Sequence, residues 1–182
     1  MKYNGTMHSQ AIYRLARNGI LLALAAAFSF LESLLPFPGG IRIGLSGLIT
    51  MYALLHLRFS EALGITVLKS ALAALTRGMT AGLLSFSGSM LSLLGMLLLW
   101  RLGSSLLLMS SLGGWLHNLG QLLCASILLQ SDALFWYFPV LTAAGICSGV
   151  LTACLFHTLL PKLRLAAHFQ QRASSTERRI NS

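Results

Sequence analysis

Charge is scarce in this chain. Of its 182 residues only 9% are charged, against the roughly 25% of a soluble globular domain. Acidic groups number four, and Asp132 is the only aspartate. That scarcity excludes self-contained diphosphate chemistry built on clustered Asp–Mg²⁺ ligands. No G-x-x-x-x-G-K-[ST] loop is present, so ATP is not hydrolysed by that route. Neither a Ser/His/Asp arrangement nor a zinc-ligand set is visible, so no catalytic residue, metal or other cofactor is expected. The three cysteines, Cys124, Cys147 and Cys154, lack metal-ligand spacing and fall inside apolar runs. There they read as small core residues. What is missing points to a binder or a conduit rather than an enzyme.

What is present is apolar. Hydrophobic residues make up 55% of the chain and the mean hydropathy is +0.75. Runs of membrane-spanning length follow one another almost end to end, which implies a polytopic membrane protein in the lipid bilayer of a cell (inner or plasma) membrane. The first run is flanked by Glu32 and a Pro-Phe-Pro turn and lacks a small-x-small cleavage pattern, so it reads as a span and not as a signal peptide. Charge, glycine and proline divide the chain into six expected transmembrane helices of an all-α fold: Asn18–Phe37, Ile43–Leu57, Ala62–Thr76, Thr80–Trp100, Ser104–Leu129 and Leu134–Leu160. The second and third are shorter than the roughly 20 residues of a straight crossing. One membrane domain over 18–162 is therefore expected, between an N-terminal segment (1–17) and a basic tail (163–182). Within the former, Ala11–Arg17 suits a short interfacial helix.

Basic residues set the orientation. Ten of the 13 lysines and arginines fall at the termini or in every second loop: Lys2, Arg14, Arg17, Arg58, Arg101, Lys162, Arg164, Arg172, Arg178 and Arg179. Only Arg42 and Arg77 fall on the other side, and Lys69 lies within a span. By the positive-inside rule both termini are cytoplasmic. The net charge of +9 is spread over these ends, without the basic groove and interleaved aromatics of a nucleic-acid site, so no nucleic-acid partner is expected.

Strong hydrogen-bonding groups at membrane depth mark the candidate site. His117, Asn118 and Gln121 lie in the middle of the fifth span. His117 and Gln121 are four apart, Asn118 and Gln121 three apart, so they share a helix face. Hydrocarbon cannot satisfy such groups, which must meet another helix, a cavity or a ligand. Glu32 and Lys69 are the ionisable residues inside spans; they suit each other as a pair, or one of them suits a charged substrate group. Arg42, beside Pro38-Gly39-Gly40, suits a carboxylate or phosphate from the external side. Ala23 and Ala27 form a small-xxx-small pair that allows close helix approach, either within the bundle or against a partner. A similar stripe in the fourth span (Gly82, Ser85, Gly88, Ser89, Ser92) suits internal packing.

Several peptides carry a family resemblance. Leu31-Glu32-Ser33-Leu34-Leu35-Pro36, Pro38-Gly39-Gly40-Ile41-Arg42-Ile43-Gly44-Leu45, Leu116-His117-Asn118-Leu119-Gly120-Gln121-Leu122 and Tyr137-Phe138-Pro139-Val140-Leu141 resemble the Gx transporter family, also labelled heptaprenyl diphosphate synthase component I. That family is similar to the substrate-binding S components of energy-coupling factor (ECF) transporters. The family pattern has a lysine where this chain has Arg42, an asparagine at Gly47 and an arginine at Lys69. The resemblance implies an S-component-like bundle that binds a small organic solute from outside. It also implies that Ala23 and Ala27 dock a transmembrane coupling subunit driven by ATPase subunits. The alternatives are a non-catalytic membrane subunit linked to isoprenoid or quinone synthesis, or a subunit of a membrane redox complex.

Overall fold

The computed structural model describes residues 3–34 and 45–158. All of its elements are helical: α1 (Tyr3–Leu34), α2 (Leu45–His56), α3 (Phe59–Arg77), α4 (Met79–Arg101), α5 (Leu106–Leu129), a 3-10 turn over Asp132–Tyr137, and α6 over 138–158. No strand occurs among the described residues. Five helices are long and apolar enough to cross a membrane, the last counted with its 3-10 entry as Asp132–Thr158, and α2 is a shorter apolar helix.

Local chemistry explains the breaks. Gly78 takes φ +93° between α3 and α4, a backbone state closed to most side chains. One residue therefore reverses the chain. The Ser105 hydroxyl caps α5 by accepting from the Leu108 N–H at 3.3 Å. The Glu61 carboxylate reaches back to the Arg58 N–H at the start of α3 (3.4 Å), which is half of a capping box. At the far end of α5, Gln130 is left-handed (φ 47°) and returns its N–H to the Ser126 carbonyl.

Three features differ from the sequence expectation. Helix α3, expected over Ala62–Thr76 and short, runs Phe59–Arg77 and is long enough to cross, because polar Ser60, Glu61 and Arg77 extend its ends. The Ala11–Arg17 stretch is not a separate interfacial helix but continuous with α1, whose 32 residues give it about 48 Å of length. The reason is that no proline or glycine pair interrupts the chain at Asn18. Cys147 and Cys154 are exposed and only Cys124 is partly covered, so two of the three thiols face outward rather than filling the core. The expected loop around Arg42 lies outside the described residues.

Ion pairs and hydrogen bonds fix the helix directions. Arg17 of α1 meets Glu61 near the start of α3 at 2.9 Å. Further along, Arg77 at the end of α3 donates to the Ser29 hydroxyl (2.9 Å) and carbonyl (3.3 Å). These pairings make α1 and α3 parallel, with α2 returning between them. Ala25, Met51, Leu93, Met96, Met109 and Phe156 bring five helices into one buried cluster. Outside it, Leu24, Leu31, Leu75, Leu98, Ile127 and Val140 are all exposed. An apolar belt of that extent is untenable in water and natural in lipid.

Candidate functional site

Small residues draw α4, α5 and α6 into backbone contact. A methyl group at Gly120 of α5 would lie 2.8 Å from the Ser87 carbonyl oxygen and 2.9 Å from Gly88 Cα of α4. One at Gly145 of α6 would lie 2.8 Å from Trp115 Cα of α5. The α4 stripe of Gly82, Ser85, Gly88, Ser89 and Ser92 is buried, as its spacing implies. Three hydrogen bonds then lace α5 to α6. The Ser110 hydroxyl donates to the Gly149 carbonyl (2.7 Å), the Trp115 indole N–H to Thr142 Oγ1 (3.1 Å), and Asn118 Nδ2 to the Leu141 carbonyl (2.9 Å). In lipid, side-chain bonds of this kind average about 0.6 kcal/mol each.

Where α2 meets this block, a cavity of about 30 Å³ remains, room for one or two water molecules. Ser46, Gly47 and Met51 line it from α2, and Ser92 and Met96 from α4. Ser110, Gly113, Gly114, His117 and Asn118 of α5 face Ser148, Gly149 and Thr152 of α6 across it. No charged residue is among them. The hydroxyl protons are largely committed: Ser148 donates to the Gly145 carbonyl (3.0 Å) and Thr152 to the Ser148 carbonyl (2.9 Å), in addition to Ser110. Their oxygen lone pairs remain free to accept. Asn118 keeps its carbonyl oxygen and a second amide proton beyond the bond to Leu141. The wall is thus uncharged and rich in acceptors.

The residues singled out in the sequence divide between this cavity and other places. His117 and Asn118 line it, Asn118 being 4% exposed. Gln121 does not. Its Nε2 lies 3.1 Å from His117 Nε2, and its stem packs where a Cβ on Gly88 would fall (2.8 Å to Gln121 Cγ). Gln121 therefore orients the imidazole that lines the wall. Glu32 is buried, and its carboxylate accepts from the Ser46 N–H at 3.2 Å, so it caps α2 directly beside the cavity. Glu32 is also within electrostatic reach of Arg77. Lys69 is buried on the α1–α3 side, where it borders a separate groove with Arg77, Ser29 and Ala27. That places Lys69 away from the cavity wall. Arg42 lies outside the described residues. Ala23 and Ala27 are exposed on α1, Ala27 at the edge of the same α1–α3 groove as Lys69. Among the described residues, no three His, Cys, Asp or Glu side chains cluster as metal ligands.

Sequence reasoning missed the hydroxyl wall. Ser46, Ser110, Ser148 and Thr152 carry no signature alone, because serine and threonine in apolar helices routinely bond their own i−3 or i−4 carbonyls. Their signal lay in the pairing of Ser110-x-x-Gly113-Gly114 with Gly145-x-x-Ser148-Gly149. These are small faces on consecutive helices, and together they predict a close crossing with hydroxyls beside it.

A family model described as heptaprenyl diphosphate synthase component I matches residues 21–159, a stretch that holds every residue of the cavity wall. No curated protein and no solved structure matches the chain.

Proposed function

The chain belongs to the heptaprenyl diphosphate synthase component I family, and from that premise we propose that it is a non-catalytic, solute-binding membrane subunit of an ECF-type uptake transporter. The observation that carries this reading is the polar cavity enclosed by α2, α4, α5 and α6 in an otherwise apolar bundle. Imidazole, amide and hydroxyl groups are costly at membrane depth and are kept where they serve packing or a ligand. Here an imidazole, an amide and several hydroxyls border one space. An uncharged, acceptor-rich wall suits a small neutral solute that presents N–H or O–H donors. The space is no larger than one or two water molecules, so α2 moves outward to admit the solute, and this is the helix with fewest residues to displace.

Energy would come from partners. Ala23 and Ala27 offer an open small-residue face on α1 for a transmembrane coupling subunit, itself driven by ATPase subunits. Both termini lie in the cytoplasm in this scheme, because Arg14, Arg17, Arg58 and Arg101 share one end of the bundle while Arg77 stands at the other. The membrane is the cell membrane. The family's description favours a second reading, in which the chain is the membrane component beside a soluble prenyl diphosphate synthase. Co-purification of such a synthase, with no solute retained, would select it.

Gly47 provides the test. It lines the cavity, and a Cβ there would meet nothing within 4 Å. The first carbon of a larger side chain at Gly47 thus meets no protein atom, and Gly47→Leu takes up space a solute would need. We expect native mass spectrometry of gently purified wild type to show a retained small molecule that Gly47→Leu lacks, with thermal unfolding unchanged. A solute carried equally by both proteins would refute the site, and a folded wild type that neither retains nor takes up any solute would refute the function.

A further inference from the structure

The α1–α3 face carries a second feature, at the end where Arg17 meets Glu61. It is a lateral groove of about 350 Å³. Leu15, Gly19 and Leu22 form one wall and Gly64, Ile65 and Leu68 the other. A methyl group on Gly19 or Gly64 would meet nothing within 4 Å, so these glycines leave a slot rather than a close crossing. At the head of the slot the Arg17–Glu61 pair uses Arg17 Nη2. Arg17 Nε and Asn18 Oδ1 are both buried without a hydrogen-bond partner. One vacant donor and one vacant acceptor thus stand on adjacent residues. Among the described residues, Arg14 and Arg58, both exposed, join Arg17 at this end, where Glu61 is the one acid.

Depth matches a lipid. From Asn18 to Leu34 α1 rises about 24 Å, most of the roughly 30 Å hydrocarbon core. The vacant polar pair therefore sits at headgroup level while Leu22 and Leu68 lie among acyl chains. We propose that this groove binds one anionic phospholipid of the phosphatidylglycerol type. Its phosphate meets the part-exposed guanidinium of Arg17 at the edge of the groove, with Arg14 and Arg58 adding attraction. A glycerol hydroxyl donates to Asn18 Oδ1 once that groove-lining amide turns outward, and one acyl chain lies along the Gly19–Gly64 slot. Phosphatidylcholine has neither the net charge nor the donor, so the groove discriminates against it. The inference is independent of the solute cavity, which is lined from α2, α4, α5 and α6 and shares no residue with the groove.

The test is native mass spectrometry of the full-length, delipidated protein titrated separately with phosphatidylglycerol, phosphatidylcholine and soluble glycerol phosphate. Phosphatidylglycerol should be retained about tenfold more than phosphatidylcholine, the equivalent of about 1.4 kcal/mol, and glycerol phosphate not at all. Gly64→Leu places its first side-chain carbon in open space and obstructs the slot, and should cut phosphatidylglycerol retention about tenfold with helicity and thermal unfolding unchanged. Gly19→Leu tests the opposite wall should Gly64→Leu prove unstable. Arg17→Gln should remove the preference between the two lipids. Equal retention of both lipids by the wild type would overturn the proposal. So would full retention of phosphatidylglycerol by a folded slot-filled variant, or binding of glycerol phosphate as tight as that of the lipid.

Discussion

The same substitution, glycine to alanine, should have opposite effects at two places in this bundle. At Gly149 a new Cβ would fall 2.5 Å from Ser111 Cα and 2.8 Å from the Ser110 carbonyl carbon. Those are backbone atoms and cannot rotate away, so α5 and α6 must part. Overpacking of this kind costs about 1–3 kcal/mol. Separation also strains the three bonds from Ser110, Trp115 and Asn118 to α6, worth together about 2 kcal/mol at the average for lipid-embedded bonds. Against this stands the better helix propensity of alanine, about 1 kcal/mol. The net for Gly149→Ala is a loss of about 2–4 kcal/mol. At Gly64 nothing opposes the methyl, and only the propensity gain of up to about 1 kcal/mol remains. Unfolding in mixed micelles, titrated with dodecyl sulfate and followed by far-UV circular dichroism, measures the difference directly. Should Gly149→Ala unfold at the same detergent fraction as Gly64→Ala or later, the tight α5–α6 crossing is wrong, and the cavity beside it loses its wall.

Other consequences can be tested separately. Glu32→Ala should speed hydrogen exchange at the Ser46 and Gly47 amides and destabilise α2 by about 1–2 kcal/mol, whereas Glu32→Gln, which keeps an acceptor, should lose less; unchanged exchange in Glu32→Ala would deny the cap. Ala23→Leu should fold normally yet weaken capture of a membrane coupling partner, while Ala25→Leu, at a position with 0% exposure, should unfold the protein. Misfolding of Ala23→Leu would assign that face to packing. In a cysteine-free background, cysteines at Gly103 and Ser131 should be labelled from opposite sides of the membrane, since one full span separates them; labelling of both from one side would break the helix order.

Much of the fold was legible because charge and glycine punctuate it. Arg101, Gly78 and Gln130 sit at helix ends, and the limits of α4 and α5 fall within two residues of those read from the sequence. The shortness of α2 was visible too, from the apolar run available to it. The start of α1 was not, because polar residues between Tyr3 and Asn18 are compatible with both a surface helix and a helix protruding from the bilayer. At the site, His117 and Asn118 announce themselves by chemistry that lipid forbids. Gln121 carries the same signal, yet a 3.1 Å contact with His117 keeps it off the wall, a matter of rotamer that spacing does not encode. Lys69 was legible as buried and costly. Which helix interface hides it depends on the parallel run of α1 and α3, and that rests on contacts 44 and 48 residues apart in sequence.

The Glu32 cap has a consequence for how the protein is made. At membrane depth the first N–H groups of a helix stay unpaired until an acceptor reaches them. Glu32 supplies that acceptor to the Ser46 N–H, yet its own charge calls for a cation, and Arg77 at the C-terminus of α3 is within electrostatic reach. During synthesis α1 emerges first with its acid uncompensated, at a cost of a few kcal/mol in the membrane. Helix α2 then relieves part of that cost and α3 the remainder. The first three helices therefore settle as a unit, leaving the insertion machinery together once Arg77 has been translated, and only then do α4, α5 and α6 have a surface to close upon.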